Sequence, residues 1–241
     1  MINIAVIIPG ELNQAELDRR IAHINKFVSS ATKVKGFLFK GDPRGIKNGG
    51  DVSLLANETM KLTIDAEKQG FDGVVIHGIC DFGIEAARGA VDIPVVGLGS
   101  ATFHLACQLA DRFGVVTKSE ATIPEFSRRI QLMGCFDRIT SMRPLNIPEL
   151  ELRKQSKKLR DRFIEIARYQ IETEGAELII AGYSAILSAL EEGEREKMEK
   201  ELDVPVLDGV PIAIKTAEML IELKLFHSHK TYPKSEHPFT R

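Results

Sequence analysis

Short apolar runs rich in β-branched residues alternate along the chain with longer stretches whose apolar positions recur at helical spacing. The short runs predict strands at Ile4–Pro9, Lys35–Lys40, Gly73–His77, Val95–Gly97, Arg112–Thr117, Leu178–Ala181 and Pro205–Leu207. The longer stretches predict helices at Glu16–Ser30, Leu54–Gln69, Gly83–Gly89, Ala101–Asp111, Pro124–Met133, Lys154–Glu174, Ser184–Glu201 and Val210–Leu223. Strands alternating with helices indicate βαβ units and a parallel sheet, hence an α/β fold. Val74-Val75-Ile76 is apolar on both faces, as a strand covered by helices on both sides requires. Gly70, Gly134 and Gly175 stand where helices should stop.

The pattern also repeats. Gly70-Phe-Asp-Gly-Val-Val-Ile-His-Gly78 matches Gly175-Ala-Glu-Leu-Ile-Ile-Ala-Gly-Tyr183: a glycine, an acid, an apolar strand, then a turn. Each copy leads through a helix into an Asp-x-Pro-Val strand, Asp92–Val95 and Asp203–Val206, and then into another helix. Two copies of one βαβα unit predict two pseudo-symmetric Rossmann-like lobes with parallel sheets. The expected division is 1–100 plus 207–241 for one lobe and 101–206 for the other. Ligands of open parallel sheets bind beyond the carboxyl ends of the strands. The halves are therefore expected to face each other across a cleft, with Gly78 and Tyr183 as equivalent turn positions.

Composition narrows the class of function. The chain has 241 residues, 32 Lys+Arg against 34 Asp+Glu and a net charge of -2, with no basic field for nucleic acid. No apolar run approaches the roughly 18 residues of a membrane span, and Met1–Pro9 lacks the basic start of a signal peptide. A cytoplasmic protein with no nucleic-acid or membrane partner is expected. Cys80, Cys107 and Cys135 form no CxxC pair, which excludes a disulfide scaffold and a thiolate zinc knot. Cys107 on an apolar helical face and Cys135 after a helix-ending glycine read as packing residues.

Asp72-Gly-Val-Val-Ile76, Gly83-Ile-Glu-Ala-Ala-Arg88, Pro94-Val-Val-Gly97 and Phe103-His-Leu-Ala106 carry a resemblance. Phe113-Gly-Val-Val-Thr117, Gly175–Ile179, Pro205–Val210 and Lys215-Thr-Ala-Glu218 continue it. In this order, over nearly the whole chain, the blocks resemble the aspartate/glutamate/hydantoin racemase superfamily, nearest its hydantoin and allantoin racemase branch. The resemblance implies an isomerase without metal or organic cofactor, acting on a small molecule, in a homo-oligomer. It implies two cysteines, one per lobe, that remove and return a proton on opposite faces of a carbon, a matched acid and base. Backbone N–H groups of the two turns would stabilise the enolate.

This chain departs from that pattern at both thiols. The first family cysteine lies five residues before the glycine that opens the Gly-x-Glu-Ala-Ala-Arg helix; counting back from Gly83 gives Gly78. The second position is Tyr183. Cys80 stands two residues late, where a bulged turn would still present its thiol; the alternative is a loop cysteine without a role. Arylmalonate decarboxylase is similar in fold, has glycine at the first position and keeps only the second cysteine. Decarboxylase, lyase or hydrolase chemistry, and a non-catalytic small-molecule binder that lost its thiols, therefore stand beside racemisation as alternatives.

The remaining candidates lie at strand ends. Tyr183 is a candidate proton donor, poor as a base with a phenol pKa of about 10. Glu11 in Pro9-Gly10-Glu11-Leu-Asn13 is a possible general base, with Pro9, Gly10 and Asn13 as substrate contacts; Asn13 is equally a helix N-cap. His77 is placed to titrate near pH 7 or to serve as a hydrogen-bonded structural residue. Gly78, Ile79 and Asp81 flank the thiol, and Asp81 either orients it or caps the next helix. In Thr117-Lys-Ser-Glu120, Thr117 and Ser119 are expected to bind a carboxylate or carbonyl, Lys118 less so. Gly182 and Ser184 flank Tyr183. Asp208 either lines the site or caps the helix that starts at Val210. The loop 41–51 is either a lid carrying Arg44 and Lys47 or a plain surface loop, and it lacks the P-loop pattern. The run Glu191–Glu201 reads as a solvated helix face. The tail after His227 has no periodicity, and His227-Ser-His229 gives weak grounds for a metal.

Overall fold

The computed structural model describes residues 1–9, 14–39, 49–152 and 154–234. Candidate residues Gly10, Glu11 and Asn13, and Arg44 and Lys47 of the loop, lie outside the described residues. In chain order the elements are β1 (Ile2–Ile8), α1 (Gln14–Ile24), β2 (Thr32–Leu38), α2 (Gly49–Lys68), β3 (Gly73–Ile76), α3 (Ile84–Ala90) and β4 (Val95–Gly97). There follow α4 (Leu98–Leu109), β5 (Phe113–Thr117), α5 (Ile123–Leu132), β6 (Ile139–Pro144), α6 (Glu149–Leu152) and α7 (Ser156–Glu172). The chain continues through β7 (Leu178–Ala181), α8 (Ala185–Ser188), α9 (Glu194–Leu202), β8 (Val206–Leu207) and α10 (Gly209–Glu222). Two compact units result: Met1–Leu98 with Ala213–Arg241, and Gly99–Ile212.

Each unit holds a four-stranded parallel sheet, ordered β2-β1-β3-β4 in the first and β6-β5-β7-β8 in the second. The repeat seen in the sequence is present bond for bond. The His77 N–H donates to the Ile7 carbonyl and the Gly182 N–H to the Val116 carbonyl, each at 2.8 Å. Val74 and Ile179 donate to the carbonyls of Pro94 and Pro205 at 2.8 and 2.9 Å. Ile76 pairs with Ile7, and Ala181 with Val116, so the next two residues on each strand correspond: His77 with Gly182, Gly78 with Tyr183.

The apolar strands are the cores. Ile4 through Ile8 are fully buried, and in the first unit Ala5, Ile7, Val74 and Ile76 pack with Leu62 and Ala66 of α2 and Ile84 and Ala87 of α3. α10 returns to this unit: the Ile221 side chain lies over Gly73, and Glu218 accepts from the Ser29 N–H at 2.8 Å. In the second unit Phe103 of α4 packs on Phe113 and Phe126, while Leu159, Phe163 and Ile179 form a core with Ile186 and Met198. Removing any of these large buried side chains leaves a cavity costing about 2–5 kcal/mol.

Three expectations are corrected. β6 is a strand that the apolar pattern misses, because Ile-Thr-Ser-Met-Arg-Pro is an edge strand half-buried at every residue. Arg143 anchors it, paired with Glu174 and stacked 4.1 Å over the Tyr169 ring. The stretch Ser184–Glu201 is two helices, α8 and α9, broken before Gly193, whose φ of 83° is left-handed. Its charge run is not simply solvated: Arg160 of α7 binds Glu194 at 2.8 Å and Glu201 at 2.7 Å.

The segment after α10 is tied down through Lys234. His227 Nε2 accepts the Val95 N–H at 2.8 Å, Arg88 donates to the Tyr232 hydroxyl, and Lys234 pairs with Asp92 at 2.5 Å. Burial, with the Arg88 charge, lowers the His227 pKa to about 4. The folded chain therefore binds this proton less readily than the unfolded chain. Its contribution to stability is whole above the unfolded value near 6.5, shrinks as pH falls, and levels off below about 4. His227→Gln keeps an acceptor and cannot titrate, so its denaturation midpoint should fall less than wild type between these pH values.

Candidate functional site

In the first unit the candidate residues gather on the turn after β3. The Asp81 N–H donates to the Gly78 carbonyl at 3.0 Å, closing a tight turn with Ile79 and Cys80 at its tip. Ile79, Asp81 and Phe82 are buried at 8%, 1% and 5% exposure, whereas Cys80 is half-buried. The turn thus sinks its neighbours and leaves the thiol partly open. Asp81 adopts a left-handed φ of 48°, and its carboxylate fills the space over Gly97, where a Cβ would overlap it. Gly83 follows with a φ of 80° and lies against the α2 backbone at Ala56. Among the described residues, a Cβ added at Gly78 would meet only half-buried Pro9, at 3.2 Å.

His77 is buried, and among the described residues its Nδ1 has no hydrogen-bond partner. Burial, reinforced by the Arg20 guanidinium, lowers its pKa to about 3. That shift favours the structural reading of His77 over a group that titrates near pH 7.

In the second unit the corresponding turn follows β7. The Ile186 N–H donates to the Tyr183 carbonyl at 3.0 Å, and the half-buried Tyr183 ring packs on the unit's core. Lys118, after β5, holds its ammonium 4.9 Å from the centre of that ring, a cation–π contact the sequence does not signal. Gly182 has no room for a side chain, since a Cβ would meet Val115 at 2.7 Å. Thr117 is fully buried, and among the described residues its hydroxyl has no hydrogen-bond partner. The Ser119 carbonyl accepts from the Thr122 hydroxyl at 2.7 Å, and neither Ser119 nor Ser184 caps its following helix through its side chain. Asp208 caps α10, accepting the Val210 N–H at 3.0 Å. Burial pushes its pKa up to about 6 against the opposing pull of that N–H and of Arg195.

Each unit thus gathers polar groups at the carboxyl ends of its central strands. His77, Gly78, Ile79, Cys80 and Asp81 share one turn with Pro9 beside it. Thr117 and Gly182 end paired strands, with Lys118 and Tyr183 in contact. Gly97 was missed as a partner of Asp81, because only the fold brings β4 beneath that turn. Among the described residues no group of three or more His, Cys, Asp or Glu is arranged to hold a metal, and no helix is long and apolar enough to cross a membrane.

Known proteins resemble this chain along most of its length. A hydantoin racemase from Rhizobium meliloti is 29% identical over 182 residues, 74% of this chain and 72% of that protein. A hydantoin racemase from a Pseudomonas species is 28% identical over 222 residues, 91% of this chain and 87% of that protein. The crystal structure of allantoin racemase from Pseudomonas fluorescens superposes with a TM-score of 0.87 at 26% identity, covering 100% of both chains. The profile of the Asp/Glu/Hydantoin racemase family matches residues 40–217, well over half of the sequence. The chain belongs to the Asp/Glu/Hydantoin racemase family.

Proposed function

We propose that this chain is a cofactor-independent isomerase that moves a proton at the carbon next to a carbonyl or carboxylate of a small molecule. Hydantoin-like rings are the first substrate class to test, because the hydantoin racemases match most of the chain. Amino acids and malonates follow. The observation that carries the reading is the Cys80 turn: a partly open thiol on a tip whose neighbours are buried, two residues after Gly78. A thiolate is a competent base toward an activated C–H, and the thiol returns the proton. Tyr183, with the Lys118 ammonium over its ring, is the donor we assign to the second unit. The backbone N–H groups of the turns hold the substrate oxygen as negative charge develops.

A second reading is a binding protein that keeps the strand-end turns and no longer turns substrate over. The absence of a thiol at both Gly78 and Tyr183 favours it. Incubation in D2O with hydantoins, allantoin, aspartate, or aryl- and alkylmalonates separates the two readings. The isomerase exchanges a substrate proton for deuterium; the binder raises the melting temperature with a ligand and exchanges nothing.

A further inference from the structure

We propose that Cys107 and Cys135 form a peroxide-sensitive dithiol, a site of reversible oxidation to a disulfide within the second unit. Cys107 lies in α4 and Cys135 in the turn that follows α5, and their sulfurs are 3.6 Å apart as free thiols. The two segments are already held together. His104, one turn before Cys107, approaches the Met133 carbonyl at 3.1 Å, and the Cys135 thiol lies 3.4 Å from the same oxygen. Closing to a bonded S–S separation of about 2.05 Å asks for a side-chain rotation rather than a refolding of either segment. The pair is unrelated to Cys80, and it does not depend on the proposed reaction.

Exposure assigns the order of events. Cys107 is half-buried and Cys135 is buried at 3% exposure, so peroxide meets Cys107 first. Burial and the neighbouring Cys107 thiol push Cys135 up to about 11, which keeps it a protonated thiol in reserve. In the first step the Cys107 thiolate attacks one peroxide oxygen; the S–O bond forms and the O–O bond breaks. Hydroxide leaves and takes a proton to become water, leaving a sulfenic acid. In the second step the Cys135 sulfur attacks the Cys107 sulfur; the S–S bond forms and the S–O bond breaks. The departing hydroxide takes the Cys135 proton as water. Two thiols and one hydrogen peroxide thus become one disulfide and two waters, the sulfurs giving two electrons to oxygen. A dithiol reductant reverses the step by exchange.

The test treats the full-length wild-type chain with hydrogen peroxide, alkylates the remaining thiols, and maps the digest by mass spectrometry. The expected product is a cross-linked peptide pair joining Cys107 to Cys135, lighter by two hydrogens and released by dithiothreitol. In Cys135→Ser, Cys107 has no resolving partner, and its sulfenic acid is expected to be captured by a cyclic 1,3-diketone. The proposal is overturned if both cysteines are recovered as alkylated thiols or as separate sulfinic acids. A cross-link of either one to Cys80 overturns it as well.

Discussion

Cys80→Ala is expected to leave the chain folded and to lower turnover by roughly 10²–10⁴-fold, the span that a positioned acid–base group contributes. Cys80 is half-buried at a turn tip, and the hydrogen bond that closes the turn joins the Asp81 N–H to the Gly78 carbonyl without using the thiol. Truncation therefore removes the sulfur and spares the backbone that presents it. Cys80→Ser fares no better, because a hydroxyl is far too weak an acid to supply an anion at neutral pH. Cys107→Ser, in another part of the fold, provides the control and keeps its turnover. If Cys80→Ala matches wild type in kcat on a compound that wild type converts, another group takes the proton.

Gly83→Ala is expected to cost much stability for a single added methyl. Its φ of 80° lies in the left-handed region, which costs an alanine about 1–2 kcal/mol. The added Cβ would also sit 2.7 Å from the Ala56 Cα and 2.8 Å from its carbonyl oxygen, both backbone atoms of α2 that cannot rotate aside. Overpacking of this kind adds about 1–3 kcal/mol. The total of roughly 2–5 kcal/mol lowers the melting temperature of a chain this size by about 4–20 °C. Gly70→Ala is the matched comparison. Its φ of 81° imposes the same backbone strain, but nothing lies within 4 Å of its Cβ. Equal melting temperatures for the two variants would show that the contact with α2 is absent. Because Gly83 closes the segment bearing Cys80, Gly83→Ala should also cost turnover, whereas Gly70→Ala should not.

Much of this fold is legible because buried parallel strands announce themselves as apolar, β-branched runs. Strands β1, β3, β5 and β7 all do so. β6 does not, since an edge strand needs only backbone pairing and a few side-chain anchors, here Arg143 with Glu174 and Tyr169. The duplication is legible for a related reason: both copies need the same glycine, acid, strand and proline to place one chain against the next. Hence the equivalence of Gly78 and Tyr183 could be read from spacing and is repeated in the strand register. What spacing cannot convey is where a side chain goes once the fold brings distant residues together. His77 sits among buried groups near Arg20, which together lower its pKa. Asp81 fills the space over Gly97, and Lys118 reaches the Tyr183 ring. In each case the decisive partner comes from another element of the same unit.

The central claim is that a family member lacking a thiol at both expected positions still moves a proton at carbon, through Cys80. It is tested most directly by proton NMR in D2O with enantiopure 5-substituted hydantoins and allantoin. The wild-type chain is predicted to erase the signal of the proton on the stereogenic carbon as it takes up deuterium, with Cys80→Ala leaving that signal intact. Wild-type protein that is stabilised by one of these compounds while every carbon-bound proton in it persists would contradict the account.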